Sequence, residues 1–447
     1  MSAGVIPQRL RPMRPEPTGA PATWGGRHAH DPTVVQSDDG TFYMYSTDAV
    51  ANSASVPAGV HIRTSRDLVT WSYAGTALDG VPGPAFDWTG AQGLWAPDVV
   101  RWHDGRWHMY YSASTFGSNT SAIGLAVSPD PSGPWEDLGL VVATRSGEHT
   151  QNAIDAAVTF DADGEAWLTY GSFFSGIYTL PLDRTTGRPI RDGDLGSLIA
   201  CRQLSVEGAI EGAYIMYRPE EDKYVLFASY DSLFATYNVR VAVADSVTGP
   251  YRDFNGAAMT DLEQEPGSIG TKVLGSYRFD GDTGWLAPGH NSVFTRPGQA
   301  GYEHFMVHHV RFTEDPSQHT VQLRRLFFTE AGWPVVSPQP FAGEAEEVFK
   351  TPQAVSGKWR VIRLDPSSTG LVNAVPAELD AGATEALDGW PSNMMVRVSV
   401  ELDGVELHGV EVDSVVFASW DWSKGQAALS FSGIDKDGVV WSGTKES

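Results

Sequence analysis

One cysteine, Cys201, stands alone in 447 residues. That excludes an intrachain disulfide and a cysteine-built zinc centre. Basic residues are few: Lys plus Arg number 31 against 55 Asp plus Glu, a formal charge of −24. Such a balance repels nucleic acid and anionic membranes and disfavours polyanionic substrates, leaving neutral ones open. No run approaches the roughly 18 apolar residues of a membrane span. The Pro- and Arg-rich start, Met1 to Thr23, lacks the apolar core of a secretion signal, so the sequence as it stands reads as cytoplasmic. Helical periodicity is scarce as well. Hydrophobic residues at 41% and charged residues at 19% still mark a globular chain, and one this long buries roughly 70–75% of its unfolded surface without a staple.

What recurs is a strand, a tight turn, a second aromatic strand and then a third strand. Copies run from Asp31 to Asp48, Pro97 to Ser114, Asp155 to Phe173, Glu211 to Asp231 and, more divergently, His290 to Val310. The first three share an Asp-Gly or Asp-Asp-Gly turn, and the fourth has one extra residue there. Starts at 31, 96, 155, 211 and 290 lie 56 to 79 residues apart, which suits units of four strands. The expected fold is therefore all-β, a five-bladed β-propeller; a sandwich with similar hairpins is the competing form. Beyond the acidic run GEAEEVF come GKWRVIRL, MMVRVSVEL, VELHGVEV and QAALSFSG. These predict a small C-terminal β-barrel or β-sandwich. The expected boundaries are an N-terminal extension over 1–24, the propeller over 25–340 and the second domain over 341–447.

Aligned on the turn glycine, Asp31, Ala96 and Asp155 occupy one position, with Glu211 and His290 expected there in the fourth and fifth copies. In a propeller the innermost strands line the axis, so these residues should converge at one end. A turn acid alone is ordinary, but three carboxylates in one small space must push their pKa values apart, which marks a functional-site candidate. The chemistry that needs such a set is glycoside hydrolysis: a protonated carboxyl for the leaving oxygen, a carboxylate to activate water, and a third acid to tune the pair. Trp95 and Phe116, beside inner strands, are candidate sugar-stacking faces. Of the adjacent His308 and His309, strand alternation lets one at most face the channel.

The stretches HAHDPTV (Asp31), LWAPDVV, NAIDAAVTFDADG, YGSFFSGI, IEGAYIMY and APGHNSVF occur in order over residues 28 to about 335. In these the chain resembles glycoside hydrolase family 43, and within it the endo-α-1,5-L-arabinanases with two domains. The resemblance implies hydrolysis of the α-1,5-L-arabinofuranosidic bonds of linear arabinan or arabino-oligosaccharides with inversion. It implies Asp31 as general base, Asp155 as the residue that tunes and orients the acid, and Glu211 as general acid, with Glu207 as a rival out of register. Asn152, Ser172 and Phe174 match sugar-contacting positions, and Trp95 and Phe116 should flank the cleft. His290 matches an axial metal site, implying a water-rich calcium ion. Inversion implies acid and base about 6.5–9.5 Å apart. The chain departs from the family at Phe174, where relatives often carry Trp, and at Gly212-Ala213, where many have Ala-Pro; both leave endo versus exo action open. Alternatives are an exo-acting α-L-arabinofuranosidase or β-xylosidase of the same family, and a glycan-binding propeller without catalysis. A retaining sucrose-type hydrolase would be expected to show an Asn-Asp-Pro-Asn-Gly-like motif, which is absent around Asp31.

Overall fold

The computed structural model describes residues 7, 11–14, 16–51, 53–281, 284–298, 301–348, 353–382, 386–387, 393–402 and 409–446. Parts of the expected N-terminal extension, and the start of the VELHGVEV stretch, lie outside the described residues. Four antiparallel four-stranded sheets follow one another, each in chain order. Blade 1 comprises β1 (His30–Gln36), β2 (Phe42–Thr47), β3 (His61–Ser65) and β4 (Ser72–Thr76). Blade 2 comprises β5 (Trp95–Arg101), β6 (Trp107–Ala113), β7 (Ser121–Ser128) and β8 (Glu136–Thr144). Blade 3 comprises β9 (Ala157–Phe160), β10 (Ala166–Tyr170), β11 (Ile177–Pro181) and β12 (Ser197–Ala200), and blade 4 comprises β13 (Ile210–Arg218), β14 (Lys223–Tyr230), β15 (Asn238–Ala244) and β16 (Thr271–Leu274). The fifth is larger. Its β18 (Trp285–Gly298), β19 (Gly301–Phe312), β20 (Asp315–Phe328) and β21 (Pro334–Val336) are extended by β17 (Tyr277–Arg278) and β24 (Val372–Asn373) into a six-stranded sheet. The propeller is thus five-bladed.

A blade is covered on both faces by its neighbours, so its middle strands lose the polar alternation of a half-exposed sheet. β6 (WHMYYSA) is buried along its whole length. The ring closes through the chain's start: Val321 N donates to Gly26 O over 3.0 Å and His28 N to His319 O over 3.2 Å. Trp24, the last residue of the expected extension, is fully buried and donates its Nε1 to Pro17 O over 2.7 Å.

The second domain is a closed barrel. After β22 (Gln353–Ala354), which pairs with β26 (Ala386–Leu387), its strands are β23 (Gly357–Leu364), β25 (Val375–Asp380), β27 (Asn393–Leu402), β28 (Val410–Asp421), β29 (Gln426–Asp435) and β30 (Val440–Lys445), with β23 pairing with β30 to shut the ring. Side chains fill so small a barrel: Trp359, Phe431, Trp441 and several valines form its core. Its other face shares a cluster with blades 4 and 5, where Ile362, Leu364, Ile434 and Val440 meet Phe227, Val239, Leu274 and Phe312. The acidic run is folded against the propeller. It forms a 3-10 turn, Gly343–Val348, whose Glu346 is buried and accepts Arg325 Nε over 2.8 Å.

Candidate active site

Each blade brings one left-handed residue to the same end of the axis. These are Asp31 (φ 52°), Ala96 (41°), Asp155 (61°), Gly212 (57°) and His290 (48°). In blades 1, 2, 4 and 5 a register shift follows at once, a bulge that turns the strand. The residue before the left-handed one then pairs with the end of the second strand: His30 with Thr47, Trp95 with Ser112, Glu211 with Ser229 and Gly289 with His309. Glu211 therefore sits one position earlier than the turn alignment places it, equivalent to His30 and Trp95, and Gly212 takes the shared position. The cause is blade 4's hairpin. It has no turn glycine, Asp222 (φ 52°) holds that place, and the hairpin is one residue longer from Gly212 than its counterparts are from Asp31 and Asp155.

The left-handed amides are tied to neighbouring blades. Ala96 N donates to Thr47 Oγ1 over 2.8 Å, Asp155 N to Ser112 Oγ over 2.9 Å, and His290 N to Ser229 Oγ over 2.8 Å. Asp31 N reaches His309 Nδ1 at 3.4 Å, completing the circle from blade 5 to blade 1. Blade 3 has Gly171 where the others carry a side chain, because a Cβ there would lie 2.3 Å from Gly176 O. Gly212 N instead donates to the carboxylate of Asp155, 3.1 Å to Oδ2.

The result is a buried cluster. Asp31 Oδ2 accepts Thr47 Oγ1 at 2.5 Å, while Oδ1 lies 2.7 Å from His30 Nδ1 and 3.0 Å from His290 Nδ1. Burial alone would raise the Asp31 pKa, but the charges and hydrogen bonds of His290 and His30 hold it well below the usual carboxylate range. Asp155 lies 4.0 Å from His290 and is pushed up to about 7, chiefly by burial, with Glu211 and Asp31 adding repulsion that His290 partly offsets. His290 rises to about 9: burial opposes its charge, but Asp31 and Asp155 outweigh that cost. Glu211 is gripped from both sides, accepting Ser172 Oγ on Oε2 and Tyr237 OH on Oε1, each at 2.7 Å. Glu207 caps a surface turn and is exposed. It has no part in the cluster.

Asp31, Asp155, Glu211 and His290 thus come together as expected. Asn152 and Ser172 join them as a buried relay rather than as free sugar contacts. Ser114 and Ser121 share a 2.7 Å hydrogen bond, Ser121 Oγ donates to Asn152 Oδ1 (2.7 Å), Asn152 Nδ2 to Ser172 O (3.3 Å), and Ser172 to Glu211. Trp95 is half-buried, whereas Phe116 and Phe174 are exposed. Of the histidine pair, His309 faces the cluster, stacked on His30 with centroids 3.7 Å apart, and His308 turns to Arg324. Sequence reasoning missed Thr47, Tyr237 and His30, and left open which of His308 and His309 faces the channel. Their roles depend on contacts between blades; only the His-Asp dipeptide at 30–31 carried a local signal.

For an axial cation, His290 Nδ1 is committed to Asp31, which leaves Nε2 as the nitrogen able to reach an ion once it has given up its proton. The charge of Asp31, Asp155 and Glu211 around it suits a hard divalent cation. Among the described residues His30, Asp31 and His309 also bring ligand atoms within 4.8 Å of one another, a nitrogen-rich set that suits calcium poorly.

Buried carboxylates in distinct environments at the axis of a five-bladed propeller define a glycoside hydrolase. The chain belongs to glycosyl hydrolases family 43, whose model matches residues 26–334. It is 28% identical to the extracellular endo-α-(1→5)-L-arabinanase 2 of Bacillus subtilis, with 92% of each chain covered. It is 32% identical to the extracellular exo-α-(1→5)-L-arabinofuranosidase of Cellvibrio japonicus over 69% of this chain and 86% of that one. The crystal structure of endo-1,5-α-L-arabinanase from Thermotoga petrophila superposes with a TM-score of 0.78 at 26% identity, covering 95% of this chain and 99% of that one.

Proposed function

We propose that this protein cleaves internal α-1,5-L-arabinofuranosidic bonds in arabinan or arabino-oligosaccharides, with inversion. The observation that carries the reading is the unequal environment of two carboxylates. Asp31 is held ionised by two imidazoles, whereas Glu211 has hydroxyl partners only on its oxygens. Asp31 removes a proton from water as that water attacks the anomeric carbon. Glu211 donates a proton to the departing glycosidic oxygen on the opposite side, and the C–O bond breaks. While Glu211 is protonated, Tyr237 or Ser172 can turn its hydroxyl to accept, since either is donor and acceptor. Asp155, through Gly212 N–H, fixes the backbone beside the acid. A calcium ion anchored by His290 Nε2 would add positive charge next to the carboxylates. Endo action is supported by likeness over nearly the whole chain to relatives named endo-arabinanases. The test is incubation with linear 1,5-arabinan while product lengths and the first-formed anomer are followed. Mixed short oligomers released as the inverted anomer are expected. Arabinose alone would replace endo by exo action, and no product would remove the reading.

A further inference from the structure

Three loops at the catalytic end each expose a phenylalanine. Phe116 lies between β6 and β7, Phe174 between β10 and β11, and Phe234 between β14 and β15. Phe116 and Phe234 are 79% and 57% exposed, yet their rings meet with centroids 6.4 Å apart. They belong to blades 2 and 4, which are not neighbours in the ring. A contact between them must overhang the blade 3 side of the cluster.

The Phe234 end of this contact is fixed. Phe234 N bonds Ser232 Oγ at 3.3 Å, inside a compact turn whose other end is Tyr237, the donor to Glu211. The Arg311 guanidinium lies 5.2 Å from the Phe234 ring and is itself held by Leu233 O and Pro316 O, each at 2.8 Å. On the other side, Phe116 rides the loop whose Ser114 begins the hydrogen-bonded relay to Glu211. The relay is buried and the two rings are exposed, so the same arc of blades 2 to 4 carries a polar floor and an aromatic span on its solvent side.

Resting on the arabinan reading, we infer that Phe234 is a specificity-determining residue. With Phe116 it forms a strap across the cleft that restricts how much of a sugar chain passes the carboxylates. Short arabino-oligosaccharides fit beside the strap. A long chain crossing the cleft must part the two rings, giving up one aromatic contact and the desolvation around it.

The test compares kcat/KM for linear arabinan with kcat/KM for arabinotriose in the wild type and in Phe234→Ala, Phe116→Ala and Phe234→Tyr. Both side chains are exposed, so the variants should fold. The polymer-to-trisaccharide ratio should rise about three- to ten-fold in each alanine variant, the range one aromatic pair supplies. Phe234→Tyr, which keeps the ring, should hold the wild-type ratio. A wild type active on both substrates whose ratio is the same in both alanine variants would overturn the strap and leave the arabinan reading standing. A wild type inactive on both would remove both.

Discussion

Replacing Tyr237 by Phe isolates one hydroxyl at Glu211, the proposed acid. The ring is required by packing: a Cβ on Gly289 would lie 2.0 Å from it, and it stacks on His309 at 5.7 Å. Phe keeps those contacts and removes only the 2.7 Å hydrogen bond to Glu211 Oε1. That bond gains strength during the reaction, because Glu211 becomes a carboxylate as it gives up its proton. A hydrogen bond to a charged group contributes about 1.5–3 kcal/mol. Expressed in the transition state, this is about a 10- to 150-fold fall in kcat. The assay is a series of aryl α-L-arabinofuranosides with leaving groups of graded basicity. The loss should be largest for the poorest leaving groups, which depend most on protonation, while Tm changes little. Ser172→Ala should behave alike, and the double variant should lose less than the product of the two, since both act on one carboxylate. A uniform loss across the series, or a change confined to KM, would refute this account of Tyr237.

Asp31→Ala should abolish turnover and leave the circular dichroism spectrum unchanged; substantial residual activity would remove Asp31 from the base role. Glu346→Gln should lower stability by about 2 kcal/mol, below the roughly 3–5 of a fully orphaned buried pair, because Arg325 retains Glu303; urea unfolding measures it, and kcat should not move. Asp98, which accepts Thr33 Oγ1 and Val158 N, is lifted by burial to about 6. The folded state therefore binds the extra proton, and its contribution to stability is complete below the unfolded value near 4 and lost as pH rises through 6, about 3 kcal/mol in all. The Tm difference between Asp98→Asn and wild type should accordingly swing toward the variant between pH 4 and 6 and stay level above. Chelation should lower activity or Tm if His290 anchors an ion, and His290→Ala should erase that sensitivity; no response to chelator in the wild type counts against the ion.

The propeller was readable because its signals are local. Glycine at a left-handed turn position and an aromatic second strand recur in sequence, as with Gly40, Gly105 and Gly164. Where the local signal failed, the register failed with it. Asp222 replaces the glycine in blade 4, so that copy has no turn glycine to align on, and its expected start falls one residue early, on Glu211 instead of Gly212. Glu211 still falls in the cluster despite that slip because the neighbouring position also faces the axis, across from the second strand's end. The choice of barrel over sandwich was not readable. It depends on β23 pairing with β30, strands some 80 residues apart whose sequences carry no mark of each other. Likewise nothing in GEAEEVF marks Glu346 as buried until Arg325, on β20 of blade 5, is placed beside it.

The site itself follows from one irregularity in a repeated joint. In blades 1, 2 and 4 a hydroxyl at the end of the second strand accepts the next blade's left-handed amide, through Thr47, Ser112 and Ser229. Blade 3 cannot supply one, because Gly171 is packed against Gly176 O. The amide of Gly212 is left to the carboxylate of Asp155, and a group that elsewhere would be structural becomes a buried acid beside Glu211. At the other break in the pattern, blade 5 offers the imidazole of His309 to Asp31 N, adding a ring that stacks on His30, the residue that holds Asp31 ionised. Asp31 and Glu211 thus acquire different surroundings, with two of five equivalent joints made by a different residue type. A serine could not restore the third joint without moving the backbone at 176, so the asymmetry that separates the two carboxylates is enforced by packing and not by the charges alone.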